Sequence, residues 1–276
     1  MKKSVFLICA LFATACAPSA DEPEGSDEAS DYDVDPADGK ADGVPAVFDQ
    51  NNVVADDIFL DDGQFTAPEI QKFLEESPYH NRSWLADYTT PGGKTAAQAI
   101  FDAATAEGIN PMMLVARLQG EMSLVSKTAR PSASRINAAT GCGCPDGGGC
   151  SASYRGFEPQ LTCSAKTMRK WYDASEDGTA QWRVGKTTTS LDNKHVSPKN
   201  SATASLYSYT PWVLPNRGGA WLTWNVTRKY VRFAESAGYI DTTGMGGGSA
   251  VTPTPDPQPA PDDGVGWSTG NGHPVN

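Results

Sequence analysis

The chain has 276 residues, enough for one large domain or two smaller ones at roughly 150 residues each. Its 33 acidic residues outweigh 22 basic ones, a net charge of −11. Taken whole, that balance excludes a nucleic-acid partner, whose phosphates require a basic surface, and argues against an anionic polymer of any kind.

The charge is uneven along the chain and has to be read by segment. Met1-Lys2-Lys3, the apolar run from Val5 to Phe12 and the small residues Ala13-Thr14-Ala15 form a secretory signal pattern over 1–15. The run is far shorter than the ~20 residues of a membrane-crossing helix. Cys16 follows the small residues as in a bacterial lipobox, with Ala13 where leucine is usual, so Cys16 is expected to carry a lipid. Ordinary cleavage after Ala15 is the alternative, and Cys9 leaves with the signal in either case. Residues 17–43 hold ten acids and one lysine, a solvated tether too polar to bury a core. The tail 242–276 is rich in Gly, Pro and Asp and reads as a linker. Between them, 44–241 is expected to be one folded domain. Its first part, 44–90, carries nine acids and two bases, whereas 91–241 carries eleven acids and seventeen bases. The acidity belongs mainly to the tether, and the larger part of the fold is basic.

Within 44–241, Thr66-Ala67-Pro68-Glu69 and Thr95-Ala96-Ala97-Gln98 are capping-box patterns, each followed by apolar residues at helical spacing. The second helix should stop at Gly108 in a left-handed cap. Asn110-Pro111 opens a third, with a capping residue and a proline in the first turn. Its apolar positions run from Met113 to Met122, and Glu121 falls on the stripe of Leu114 and Leu118. Further helices are expected from Pro159 to Tyr172, Ser201 to Tyr209 and Trp221 to Ala237. Strand-like alternation is sparse and no internal repeat stands out. The fold class is mainly α, with long loops.

Cys142, Cys144, Cys150 and Cys163 remain after the signal and lipid positions are set aside. Two disulfides suit an exported chain, with Cys144 paired to Cys150 and Cys142 to Cys163. A four-thiolate zinc site is the alternative, although the spacing lacks the paired short gaps of zinc ribbons. A nucleophilic cysteine would need a histidine base, and only His80 and His195 lie in the domain.

Glu121 sits near the C-terminal end of an apolar helix, where the macrodipole and partial burial both disfavour negative charge. A carboxyl kept protonated is what a glycosidase uses to protonate a leaving oxygen. The plainer reading is a glutamate paired with Arg117 or Lys127. The stretch 108–124, GINPMMLVARLQGEMSL, resembles the catalytic-helix motif of the lysozyme-like superfamily. More narrowly, it is similar to exported bacterial cell-wall domains related to soluble lytic transglycosylases. The likeness continues through Ala139 to Asp146, Gly156 to Gln160, Ala202 to Pro211 and the stretch from Asn52 to Leu74, in order over nearly all of 44–234.

The resemblance implies a lysozyme-like helical domain with disulfide-braced loops and a glycan cleft. It puts Glu121 on the catalytic acid, Gly156, Phe157 and Gln160 on a cleft-lining motif, and Tyr207 and Tyr209 near a late aromatic motif where a tyrosine steadies the sugar or the acid; the alternative is that both tyrosines are core residues. Asp146 is the candidate second carboxylate, or else a turn former. Two departures stand out. Cys142 replaces a usual aromatic, and Met122 stands where transglycosylases often have serine, which comes one place later as Ser123. The function this implies is cleavage of peptidoglycan as a lytic transglycosylase or muramidase. The alternatives are an endo-N-acetylglucosaminidase and a non-catalytic peptidoglycan-binding envelope lipoprotein. Glycan strands and, through the lipid, a membrane are the expected partners of a monomer located in the cell envelope. The basic 91–241 suits an anionic glycan mesh, and no metal, cofactor or nucleic acid is implied.

Overall fold

A helix that is apolar on all sides has to lie in the middle of its neighbours, and the helix over Pro111–Met122 does. Every residue from Pro111 to Gln119 is buried. The computed structural model describes residues 41–61, 63–145 and 149–246, and the backbone of 266–267 and 274–275. The signal pattern, Cys16, the tether up to residue 40, Asp146 and the rest of the tail lie outside the described residues.

In chain order the described helices are α1 (Asp56–Phe59), α2 (Ala67–Glu76), α3 (Ala96–Thr105), α4 (Pro111–Met122), α5 (Ala133–Asn137), α6 (Phe157–Glu176), α7 (Ser201–Tyr209) and α8 (Gly219–Ser236). One short antiparallel pair, β1 (Thr188–Thr189) and β2 (His195–Val196), lies between α6 and α7, with Thr188 opposite Val196. The domain is therefore mainly helical, as the periodicity predicts. Among the described residues no helix is long and apolar enough to cross a membrane.

α4 packs against α3 and α8 and touches α6, while α6 and α7 share the most extensive helix contact. That contact is close because α7 is built of small residues. All nine of its residues are buried, and the hydroxyls of Ser201, Thr203, Ser205 and Ser208 find partners inside the fold. Ser205 Oγ donates to the Met168 carbonyl at 2.6 Å, and Thr203 Oγ1 accepts from Val53 N at 2.9 Å.

Local signals act unevenly at the helix starts. Asn110 Oδ1 accepts from Met112 N at 2.9 Å, the cap its sequence predicts. Thr95 caps α3 through Gln98 N at 3.1 Å, but the Gln98 amide turns outward to Asp102 instead of completing a capping box. Thr66 precedes α2 without any side-chain cap bond. α6 begins two residues before Pro159 and runs past Tyr172 to Glu176.

The folded body is also longer at both ends than 44–241. Ala41 and Val44 are buried, and Ala55 N donates to the Gly43 carbonyl at 2.8 Å. Gly43 has φ +82, and a Cβ there would lie 2.3 Å from Ile58 Cγ1, so only glycine fits. Thr242 is buried and bonds Glu235 at 2.8 Å, while Gly244 N reaches Asp42 at 3.2 Å and Gly246 N reaches Asp57 at 2.6 Å. The two ends of the body are thus tied to each other, which composition could not reveal.

The cysteines form Cys142–Cys163 and Cys144–Cys150 disulfides, leaving none of the four as a thiolate for zinc or for nucleophilic attack. The first joins the loop after α5 to α6 across 21 residues. Replacing Cys142 and Cys163 together by serine should lower stability by about 3 kcal/mol, from the loop entropy regained by the unfolded chain. Denaturant unfolding of the oxidised protein measures it. A change below about 0.5 kcal/mol would contradict this bracing role.

Candidate functional site

The first nine residues of α4 are buried, and the helix then emerges at Gly120, Glu121 and Met122. Ser123 ends it in the left-handed conformation, φ +52, with its N–H on the Gln119 carbonyl at 2.9 Å. Leu124 N reaches the Leu118 carbonyl at 3.1 Å. Gln119 fixes the turn that follows: its Oε1 accepts from Val125 N and Ser126 N at 3.1 and 3.0 Å. Trp84 Nε1 donates to the Leu124 carbonyl at 2.9 Å. Glu121 therefore stands at the mouth of a rigid helix end, its side chain 18 % exposed.

Its immediate partner is Arg117, one turn earlier, with Nη2 2.5 Å from Glu121 Oε1. Arg117 is only 6 % exposed, and a charge so deep persists because it is paired. The guanidinium carbon lies 3.9 Å from the centre of the Tyr209 ring, and Nη1 donates to Thr210 Oγ1 at 3.2 Å. Tyr209 is itself fixed: its hydroxyl donates to the Thr140 carbonyl at 3.2 Å and accepts from Ser164 Oγ at 3.3 Å. Burial pushes the Tyr209 phenol above its ordinary range, with Arg117 pulling the other way, so it stays neutral. A guanidinium at 2.5 Å stabilises the carboxylate form of Glu121. That works against the helix dipole and burial, the two grounds on which the sequence suggests a protonated acid.

A cleft of about 260 Å³ opens beside Glu121, between the exposed end of α4, the segment 210–218 and the first turn of α8. Trp212, Leu214 and Arg217 line it from the middle segment, and Leu222 from α8. That segment is held in an unusual shape. Leu214 and Asn216 have φ of +40 and +63, a region costly for leucine. Gly219 has φ +55, and a Cβ there would fall 2.3 Å from the Trp212 carbonyl oxygen. Asp192, in the β1–β2 turn, secures it: Oδ1 accepts from Val213 N at 3.0 Å and Ser190 Oγ at 2.7 Å, and Oδ2 from Leu214 N at 3.0 Å. Burial raises the Asp192 carboxyl, yet the bonds from Val213, Ser190 and Leu214 outweigh it and hold the group below its ordinary range.

The residues proposed from the sequence to touch the sugar are elsewhere. Phe157, Gln160, Tyr207 and Tyr209 are at most 1 % exposed, and neither they nor Gly156 lines this cleft. Direct glycan contact by these four side chains is therefore corrected to roles inside the fold. Gly156 precedes α6 with φ +116, and Phe157 packs edge-on to Tyr88 at 5.3 Å. Tyr207 stacks on Trp182 at 4.8 Å. Gln160 is a hydrogen-bond hub. Its Oε1 accepts from Thr140 N at 3.2 Å and Cys142 N at 3.1 Å, while Nε2 donates to the Cys142 and Tyr154 carbonyls, both at 2.7 Å. Thr140 joins this hub to Tyr209, so Gln160 and Tyr209 support Glu121 from behind through Arg117. Asp146 lies outside the described residues.

The sequence reading missed Asp192, Trp212 and Arg217, and weighed Arg117 only as an ordinary ion-pair partner. Arg117 carries a signal, being the one cation in an apolar helix, four residues before an acid. Compared with known proteins, the chain matches no family model, no curated protein and no solved structure.

Two outcomes are expected. Asp192→Asn should cost about 1 kcal/mol near neutral pH, because one charged acceptor is lost. A carboxyl lowered in the folded state contributes stability that is complete above its ordinary value of 3.8 and is lost as pH falls below it. The gap between wild type and D192N should therefore narrow on acidification, as thermal unfolding across pH would show; a gap independent of pH contradicts the clamp. Gln160→Leu should cost about 3 kcal/mol, since it strands buried backbone groups of Thr140 and Cys142. Equilibrium unfolding by denaturant measures that loss.

Proposed function

We propose that this protein is a peptidoglycan-cleaving glycosidase, of the lytic transglycosylase or muramidase type, on a lysozyme-like helical domain. The observation that carries this reading is Glu121, a braced carboxylate at the open end of a buried helix and on the wall of a cleft. It is the only carboxylate among the described residues that line that cleft. The resemblance of 108–124 to a catalytic-helix motif supports the same residue on separate grounds.

One carboxylate can serve both proton transfers of such a reaction. Protonated Glu121 gives its proton to the glycosidic oxygen as the bond from the muramyl C1 to that oxygen breaks. The resulting carboxylate then takes a proton from the nucleophile as the new bond to C1 forms. If the nucleophile is the muramyl 6-hydroxyl, the product carries a 1,6-anhydro ring. If it is water, the product has a reducing end. Arg117 steadies the carboxylate between the two transfers and keeps it aimed into the cleft. We assign the protein to the bacterial cell envelope, exported by the signal pattern and held through a lipid on Cys16.

The same Arg117–Glu121 pair favours one other reading. Because the cation stabilises the ionised form, the cleft also suits a glycan-binding envelope lipoprotein that does no chemistry. Glu121→Gln separates the two. Wild type should clear peptidoglycan in a zymogram, and E121Q should lose at least about a hundredfold of that activity with its unfolding temperature kept. Mass spectrometry of the products identifies the nucleophile. Clearing that survives in E121Q would overturn Glu121 as the acid, and binding without clearing by wild type would establish the binding protein.

A further inference from the structure

The cleft holds three charged side chains, and only two of them balance. Glu121 and Arg117 form an ion pair. Arg217 lines the same cleft, is exposed, and has no ion-pair or hydrogen-bond partner for its guanidinium among the described residues. Its backbone is not free to wander. Arg217 N donates to the Leu214 carbonyl at 3.2 Å, Asn216 before it is left-handed, and Asp192 grips Val213 N and Leu214 N, each at 3.0 Å. The wall thus presents a cation from a fixed turn, next to the apolar surfaces of Trp212, Leu214 and Leu222.

An uncompensated guanidinium beside apolar walls is suited to a ligand with one flat, weakly polar face and one anionic group. Its planar fork matches a carboxylate in two-point hydrogen bonding. Fixing the turn that carries the arginine lowers the backbone entropy lost on binding. In a glycan of alternating glucosaminyl and muramyl units, only the muramyl unit carries an acid, and it carries it on the ring itself or on the peptide attached there.

We propose that Arg217 is the specificity-determining residue of this cleft, and that it recognises a carboxylate on the muramyl unit. This rests on the glycan-cleaving reading of Glu121. The carboxylate has two sources: the lactyl ether group, free in strands stripped of peptide, and the acidic groups of the stem peptide in intact strands.

The test compares three glycans on the full-length protein: chitin oligosaccharides, which lack a carboxylate; stripped strands with free lactyl groups; and intact peptide-bearing strands. Cleavage and equilibrium binding are both measured for wild type, R217K and R217A. Wild type should favour one carboxylate-bearing class over chitin oligosaccharides by about tenfold or more in kcat/KM. R217A should bring that ratio close to one through KM, with little change in kcat or unfolding temperature, and R217K should keep part of it. Preference for stripped strands identifies the lactyl group, and preference for intact strands the peptide. An unchanged ratio in R217A overturns the proposal while leaving the glycosidase reading intact. If wild type cleaves nothing, the glycosidase reading fails, and the same ratios read from binding decide Arg217 on their own. Absence of binding to all three refutes both.

Discussion

An arginine and a glutamate one turn apart at the end of a buried helix impose most of what surrounds them. Arg117 is almost fully enclosed, and an enclosed guanidinium without a partner would cost several kcal/mol. It is kept by the Glu121 carboxylate in front, the Tyr209 ring beneath and the Thr210 hydroxyl at its side. Tyr209 in turn requires an acceptor for its hydroxyl, which the Thr140 carbonyl supplies. The loop that carries Thr140 has to be fixed, and Gln160 and the Cys142–Cys163 disulfide fix it from α6. Glu121 is thus the outermost member of a polar chain that runs through the fold.

The other wall of the cleft is built on different terms. Val213 anchors residues 210–218 in the core, and backbone hydrogen bonds and one carboxylate set the rest of their path. Asp192 accepts two consecutive N–H groups of the segment, and Gly219 makes room for the Trp212 carbonyl. A left-handed leucine is costly on its own and persists because these contacts leave the segment little alternative. The cleft therefore joins a helix end set by core packing to a loop set by electrostatics, and acid should loosen the second before the first.

Several features were readable along the chain. The 3.6-residue periodicity placed the long helices, because burial of one face is a local pattern. Ser201–Tyr209 was legible to the residue, ending just before Pro211. The export pattern and the cysteine count pointed to two disulfides, and both form. Glu121 was legible as an acid out of place on an apolar stripe. The tyrosines and Gln160 were not legible in their roles. A buried tyrosine and one stacked on a sugar have the same sequence, and only their neighbours differ.

By itself, then, the sequence determined a mainly helical, disulfide-braced body between polar arms, with its acidity in the tether and a glutamate at the end of an apolar helix. Those properties depend on composition and on contacts a few residues apart. The tertiary structure decided what that glutamate faces. Arg117 became a buried partner and not a surface one because Tyr209, ninety-two positions later, lies beneath it. Asp192 came to brace the cleft wall that carries Arg217 because the β1–β2 turn packs on the segment after α7. Such pairings join residues distant in the chain through burial and backbone hydrogen bonds, and no local pattern encodes them.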